Sequence, residues 1–257
     1  MNNAQLIDTH CHLYAEEFFE DRSDMIRRGL SAGVDRFILP NIDRSSIDGM
    51  LELEQEFPGR CYAMMGLHPC YVKEDADDQL EIVRDWLAVR NFIGIGEIGL
   101  DFYWDLTYRE KQFEVFRKQL EWSLAYRLPV VIHSRNSLRE CIDVVKEYVG
   151  IRGIFHCFGG SIDEAVEIMD MGMYLGVGGV VTFKKSGLDA VIREVGLSRV
   201  VLETDAPYLA PEPFRGKRNE SAYLVYVAQK LAEIMQMEPQ QVARITTQNA
   251  ANVFMQY

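Results

Sequence analysis

FIGIGEIGLDFYWDLTYREKQFEVFRKQLEWSLAYRLPVVIHS, residues 92–134, carries a strand, a helix and a second strand in succession. Phe92–Leu100 is a short run of branched apolar residues and glycine, and Pro129–Ser134 is another. Between them, Arg109–Arg127 has the apolar spacing of an amphipathic helix. Working outward, the same kind of run recurs at Leu6–Leu13, Arg36–Ile42, Cys61–His68, Gly153–Phe158, Met173–Gly178 and Val200–Thr204, with helical patterns such as Leu138–Val149 between them. Strand and helix alternating through eight repeats is the pattern of an α/β fold of the (β/α)₈ TIM-barrel type. A doubly wound open sheet usually has fewer strands and a glycine-rich phosphate loop after the first. GVGGV at 176–180 comes late and lacks the GxGxxG spacing, so it reads as strand seven. A polar loop, Pro207–Ser221, and two helices, Ala222–Met235 and Pro239–Phe254, close the chain. No linker or repeat divides it, so residues 1–257 are expected to form one domain.

The composition fits. A chain of 257 residues, 48% hydrophobic and 26% charged, can bury a large core. No run of about 18 apolar residues suggests a membrane span. The start, MNNAQLIDTHCHLY, lacks the basic and apolar segments of a signal peptide. Five dispersed cysteines without a C-x-x-C pair fit reduced thiols, and a cytoplasmic location is expected. Cys11 and Cys157 each adjoin a histidine, and strand alternation is expected to point them away from the site. A net charge of −12 argues against a broad basic face for duplex DNA, and any capture of a nucleic acid should be weak and depend on cations.

All five histidines, His10, His12, His68, His133 and His156, fall at or near the C-terminal ends of the strand runs. In a barrel that rim carries the active site. His10 and His12 are two apart, so they share a face and can grip one cation. His133 ends strand five and His156 strand six, and adjacent strands about 4.8 Å apart bring both rings to a second cation. Glu97, a carboxylate amid Gly and Ile near the end of strand four, is costly to bury unpaired, and its position suits a bridge between two ions. Asp205 follows strand eight, which closes beside strand one, and can complete the first site. The expected metal ligands are therefore His10, His12, Glu97, His133, His156 and Asp205, with Asp205 and Glu97 as the catalytic carboxylates. Mixed imidazole and carboxylate donors suit Zn, Mn, Ni or Fe, and Mg less comfortably. Two cations about 3.5–4 Å apart can activate a water and stabilise a displacement, with Asp205 able to take the proton.

The blocks DTHCHL (8–13), GLHP (66–69), GEIGLD (96–101), HSR (133–135), HCFGG (156–160), ETDAP (203–207) and RGKRNE (215–220) together resemble the signatures of the TatD deoxyribonuclease family, in that family's order. The resemblance implies a barrel of the metal-dependent hydrolase (amidohydrolase-like) type with two divalent cations. It also implies phosphodiester hydrolysis, typically 3′→5′ exonuclease action on single-stranded DNA, and the same six ligands. Ser221 stands where the family often has proline, which touches the loop shape and not the metal site. No lysine occupies the strand-four or strand-five rim, so Glu97 takes the place that a carboxylated lysine holds in other amidohydrolases.

The supporting residues carry alternative readings. Arg135, on the face of His133, can clamp a phosphate by two parallel hydrogen bonds or pair with a loop carboxylate. His68 can hold a phosphate, protonate a leaving group or make a structural hydrogen bond. Asp8 and Glu203, two residues before a ligand, can orient histidine rings from behind. Glu203 can alternatively position the water. Arg215, Lys217 and Arg218 in the loop Phe214–Asn219 can reach phosphates, Arg218 being the substrate-binding candidate, or simply face solvent. Phe102, Tyr103 and Trp104 can stack on bases or pack together. The expected partner is single-stranded DNA or another nucleic-acid strand, with no membrane partner. The working expectation for the assembly is a monomer. The same activated water could cleave an ester on charged tRNA, as a D-aminoacyl-tRNA deacylase does, or a small-molecule amide. A non-catalytic interaction protein on a barrel scaffold is the alternative of another class.

Overall fold

A computed structural model describes residues 5–254; the first residues of the stretch read as lacking a signal peptide lie outside the described residues. Among the described residues eight strands alternate with eight helices, and a ninth helix follows. In chain order they are β1 (Leu6–Asp8), α1 (Arg22–Ser31), β2 (Val34–Leu39), α2 (Ile47–Glu56), β3 (Cys61–Ala63), α3 (Ala76–Val89), β4 (Ile95–Asp101), α4 (Arg109–Tyr126), β5 (Val130–Arg135), α5 (Leu138–Lys146), β6 (Gly153–Phe155), α6 (Ile162–Asp170), β7 (Tyr174–Val177), α7 (Leu188–Val195), β8 (Val200–Leu202), α8 (Leu224–Met235) and α9 (Pro239–Phe254).

Every strand pairing is parallel, in two runs, β1-β2-β3 and β4-β5-β6-β7-β8. Backbone hydrogen bonds stitch the runs together at both seams. Between β3 and β4 the N–H groups of Ile93, Met65 and Gly96 donate to the carbonyls of Ala63, Gly94 and Met65 at 3.0, 3.2 and 3.1 Å. Between β8 and β1, Thr9 N–H donates to Leu202 and Asp205 N–H to His10, at 3.0 and 2.9 Å. The ring is the (β/α)₈ barrel that the alternating sequence pattern predicts.

The two apolar clusters follow from strand alternation. Alternate residues face the helices, as Phe37 and Leu39 of β2 and Val130 and Ile132 of β5 do. The others, Ile7, Ile38, Val131, Ile154 and Val201, meet Met64 inside the barrel, where Ala250, Val253 and Phe254 of α9 close the floor. Burying each such side chain contributes about 1.5–3 kcal/mol. Helix faces match: α5 buries Cys141, Ile142, Val144 and Val145. Helix α6 begins at a reciprocal cap in which Ser161 and Glu164 satisfy each other's backbone N–H.

Several strands stop earlier than the sequence predicts. His10 and His12 lie past β1, His68 past β3, His156 past β6, and Asp205 past β8. Past β6 and β8 the backbone leaves the ladder where Cys157 and Asp205 adopt left-handed φ values of 46° and 57°. Residue alternation therefore ceases to predict side-chain direction at these positions. Two glycines answer to close approach. A Cβ at Gly99 would lie 2.1 Å from the His133 carbonyl, and one at Gly176 would lie 2.1 Å from the Glu203 carboxylate.

Candidate metal centre

Glu97 is the hub. It sits in β4 within the register irregularity between Ile95 and Ile98, its backbone N–H donating to Asn41 and the Gly96 carbonyl accepting from Asn41. The Asn41 side chain donates to the Gly66 carbonyl at 2.7 Å, so Asn41, two residues past β2, fixes the backbone on both sides of the β3–β4 seam. The carboxylate thus placed divides the imidazoles. Oε2 faces His10 Nε2 at 3.2 Å and His12 Nε2 at 3.6 Å. Oε1 faces His156 Nε2 at 2.8 Å, His133 Nδ1 at 2.9 Å and His68 Nε2 at 3.4 Å. Asp205 Oδ1 stands 3.5 Å from His12 Nε2 and 3.8 Å from His10 Nε2. Thus the structure brings together all six residues expected as ligands.

Burial would raise the Glu97 carboxyl, but His156, His68 and His10 around it hold it well below the usual carboxylate range. Asp205 is likewise held down: burial opposes ionisation, and His12, His156 and His10 overcome it. Burial pushes His10 and His68 down, so both rings are neutral at ordinary pH. His133 and His156 go the other way. Burial disfavours their charge, but the carboxylates of Asp101 and Glu97, and of Glu97 and Glu203, more than offset it.

The partners of each ring decide which nitrogen it can offer to a divalent cation. The Tyr14 hydroxyl donates to the Pro40 carbonyl and so accepts from His12 Nδ1 at 2.9 Å, which leaves His12 Nε2 bare toward the centre. His133 turns Nε2 to Asp101 at 2.9 Å and Nδ1 to the centre. Such carboxylate–imidazole pairs orient metal ligands. Three groups have donor atoms within 4.8 Å of one another: His10, Glu97 and His156; His10, His12 and Asp205; and His68, Glu97 and His133. Mixed imidazole and carboxylate donors of this kind fit a divalent cation. The third group is the weakest as a ligand set. His68 Nδ1 accepts from the Cys70 N–H at 3.0 Å, so its ring proton stands on Nε2, the atom turned to Glu97. His68 therefore serves as a donor into the centre.

Of the two acidic residues expected behind the rings, Glu203 is in place. Its Oε1 lies 3.6 Å from His156 Nδ1 and accepts from the Cys157 N–H. Asp8 is not behind a ring. Because β1 ends there, its carboxylate turns to the Thr204 N–H and hydroxyl at 2.9 and 2.6 Å and to the Ser221 hydroxyl at 2.6 Å. Burial raises Asp8 to about 7 against these hydrogen bonds. Asp8 steadies the β8 loop, and Ser221, at the position where proline was expected, is part of that contact.

A cleft of about 1960 Å³ opens above the centre and is lined by Glu97, His133, Asp205, Arg135, Arg215 and Lys217 among others. Arg135 stacks its guanidinium 3.8 Å from the Tyr103 ring centre and 5.1 Å from that of Trp104. Arg218 is elsewhere. Both its terminal nitrogens bind Asp21 at 2.8 Å and one also reaches the Glu17 carbonyl, which corrects the expectation that it faces a phosphate. Cys157 is a second correction: its left-handed backbone places it on the cleft lining, while Cys11 packs in the core, its Sγ 3.6 Å from the Ile38 carbonyl.

Sequence reasoning missed Asp101, Tyr14 and Asn41. Asp101 was within reach, since it follows Glu97 by four along β4 on the same face. Burial would raise its carboxyl, but His133 and the N–H groups of Tyr103 and Trp104 hold it far below the usual range. Asp101 therefore ties His133 to the loop of Tyr103 and Trp104, against which Arg135 stacks.

A barrel with buried imidazoles and carboxylates converging at its C-terminal mouth defines a metal-dependent hydrolase. The TatD related DNase family matches residues 7–255, and the chain belongs to that family. It is 38% identical over 252 residues to the uncharacterized metal-dependent hydrolase YabD of Bacillus subtilis, covering 97% of this chain and 98% of the relative. It is 29% identical over 257 residues to the 3′-5′ ssDNA/RNA exonuclease TatD of Yersinia pseudotuberculosis, covering 97% and 99%. The crystal structure of the TatD homolog YJJV from Escherichia coli superimposes with a TM-score of 0.92 at 30% identity, over 98% of each chain. Among the described residues no helix is long and apolar enough to cross a membrane.

Proposed function

We propose that this chain is a two-metal phosphodiesterase that removes nucleotides from the 3′ end of single-stranded DNA. The observation that carries the reading is the division of imidazoles by the two oxygens of Glu97, His10 and His12 on one side and His133 and His156 on the other. A carboxylate placed in this way could serve two ions at once. Bound at these donors, divalent cations would lower the pKa of a water and neutralise charge on a phosphoryl group.

The chain's own residues supply the rest. Asp205, ionised and at the edge of the cleft, takes the proton from the attacking water. His68 donates its Nε2–H to a phosphate oxygen, a reading supported by the tautomer that its Cys70 hydrogen bond favours. Arg135, stacked on Tyr103 and in no ion pair among the described residues, clamps the phosphate bidentately. Asp101 holds His133 in register by a hydrogen bond, and Glu203 faces the His156 ring at 3.6 Å. The similarity to the Yersinia exonuclease supports a strand-shaped substrate and the 3′→5′ direction.

Incubating wild type with 3′- and 5′-labelled single-stranded DNA, in Mg²⁺, Mn²⁺ or EDTA, tests the reading. It expects shortening only with metal and early loss of the 3′ label. Intact DNA in every tube, from protein that still binds metal, would remove the nuclease assignment.

A further inference from the structure

Aromatic rings line the cleft, and most are already engaged. Tyr14 is buried and orients His12. A guanidinium lies over three others: Arg22 over Phe19, Arg135 over Trp104 and Arg215 over Phe183, at 4.7, 5.1 and 4.2 Å from the ring centres. Tyr103, in the same loop as Trp104, has Arg135 at 3.8 Å. Tyr71 and Tyr208 differ. They are 40% and 53% exposed, and among the described residues neither ring carries a cation and neither hydroxyl is hydrogen-bonded.

The same local device places both. Each follows a residue of the centre by three, with a proline between: His68-Pro69-Cys70-Tyr71 and Asp205-Ala206-Pro207-Tyr208. In each turn the tyrosine N–H donates to the carbonyl of the centre residue, at 2.9 and 2.8 Å. The tyrosine carbonyls are held as well, Tyr71 by the Gln79 amide at 3.4 Å and Tyr208 by the Asn219 amide at 2.6 Å. The rings therefore stand at fixed places beside the metal centre. Tyr71 lies 6.1 Å from the His68 ring and Tyr208 lies 6.2 Å from the His12 ring, centre to centre. Burial and then neighbouring acidic groups, Glu97 among them, push both hydroxyls up, so both rings are neutral at ordinary pH and do not repel a phosphate.

A neutral aromatic face left open beside a phosphate-cleaving centre is a platform on which a base stacks. Stacking accepts any base, because every base has a π-face. One platform stands on the loop after β3 and one on the loop after β8, and two nucleosides flank a scissile phosphate. We infer that Tyr71 and Tyr208 are specificity-determining residues, each stacking one of the two bases that straddle the scissile phosphate. This rests on the nuclease reading. It makes a base on each side of the cut a requirement for tight binding, whereas the metal centre alone would accept any phosphodiester.

The test measures steady-state kinetics with Mn²⁺ on a short single-stranded oligonucleotide and on two copies carrying a stable abasic residue, one at the 3′-terminal and one at the penultimate position. Wild type should show a KM about tenfold higher on either abasic strand. Tyr71→Ala should raise KM on the intact strand about tenfold and lose its sensitivity to one abasic position, and Tyr208→Ala should do the same for the other. In both, kcat should stay near wild type, the mark of binding lost equally from ground and transition states. Tyr71→Phe and Tyr208→Phe keep the ring and should match wild type, and all four variants should keep the wild-type metal content. A wild type indifferent to both abasic strands, or alanine variants that keep the wild-type KM, would overturn the inference. So would phenylalanine variants as impaired as the alanine ones, which would assign the effect to the hydroxyls. A wild type inert on the intact strand would fell the nuclease reading itself.

Discussion

The two ends of the barrel are built on the same eight strands and follow opposite rules. At the floor, Ile7, Ile38, Val131, Ile154 and Val201 meet Met64 and the Phe254 side of α9, and the contacts are apolar throughout. At the mouth, a few residues further along the same strands, the buried groups are His10, His12, Glu97 and His156, with Asp205 partly covered. Burying so much polarity costs free energy unless each group is partnered. The orphaned atoms are concentrated here: His10 Nδ1, His156 Nδ1 and Glu203 Oε2 lack hydrogen-bond partners. The floor contributes stability that the mouth gives up for binding metal.

Breaking the mouth should have the largest effect on turnover. Glu97→Ala removes the shared carboxylate and should lower kcat by about 10³-fold, since several kcal/mol of charge stabilisation depend on the ions it holds. Steady-state rates measure this. EDTA should lower the wild-type Tm, and that shift should vanish in the variant.

Breaking the floor should do the reverse. Ile154→Ala, in a site buried on all sides, should cost about 2–5 kcal/mol of unfolding free energy in a urea titration. Its metal content below the transition should match wild type. A floor variant that lost metal without losing stability would erase the distinction between the two ends.

A finer test addresses what supports the mouth. Tyr14→Phe removes the oxygen that fixes the His12 ring and should weaken metal binding about 10–100-fold, read by competition with a chelator, with little change in Tm.

The smallest effect lies outside both regions. Asp21, held at about 2 chiefly by its hydrogen bonds from Arg218 and against a small burial cost, gains its stabilising charge above its unfolded pKa near 3.9. That contribution is complete above about pH 4 and is lost as pH falls toward 2. Asp21→Asn should therefore flatten the stability profile between those values, by less than about 1 kcal/mol because the pair is solvent-screened.

The strand centres were legible because branched runs such as Val130–Ile132 and Val200–Leu202 are buried on both faces. The strand ends were not, because left-handed φ at Cys157 and Asp205 leaves no mark in residue type. The six ligand candidates stood out because histidine is scarce and fell at one rim. Tyr14 and Asn41 did not, since neither the Pro40 carbonyl nor the Gly66 carbonyl that engages them is visible from spacing. The pairing of Arg218 with Asp21 joins positions 197 apart, and no local pattern announces it.

The most direct test of the account is metal content. Wild type and Glu97→Ala, each loaded with Mn²⁺ and freed of excess ion, would be analysed by elemental mass spectrometry. The account calls for about two ions per wild-type chain and a clear loss in the variant, because one carboxylate serves both positions. Two ions retained by a folded Glu97→Ala, or a wild type that keeps none, would contradict it.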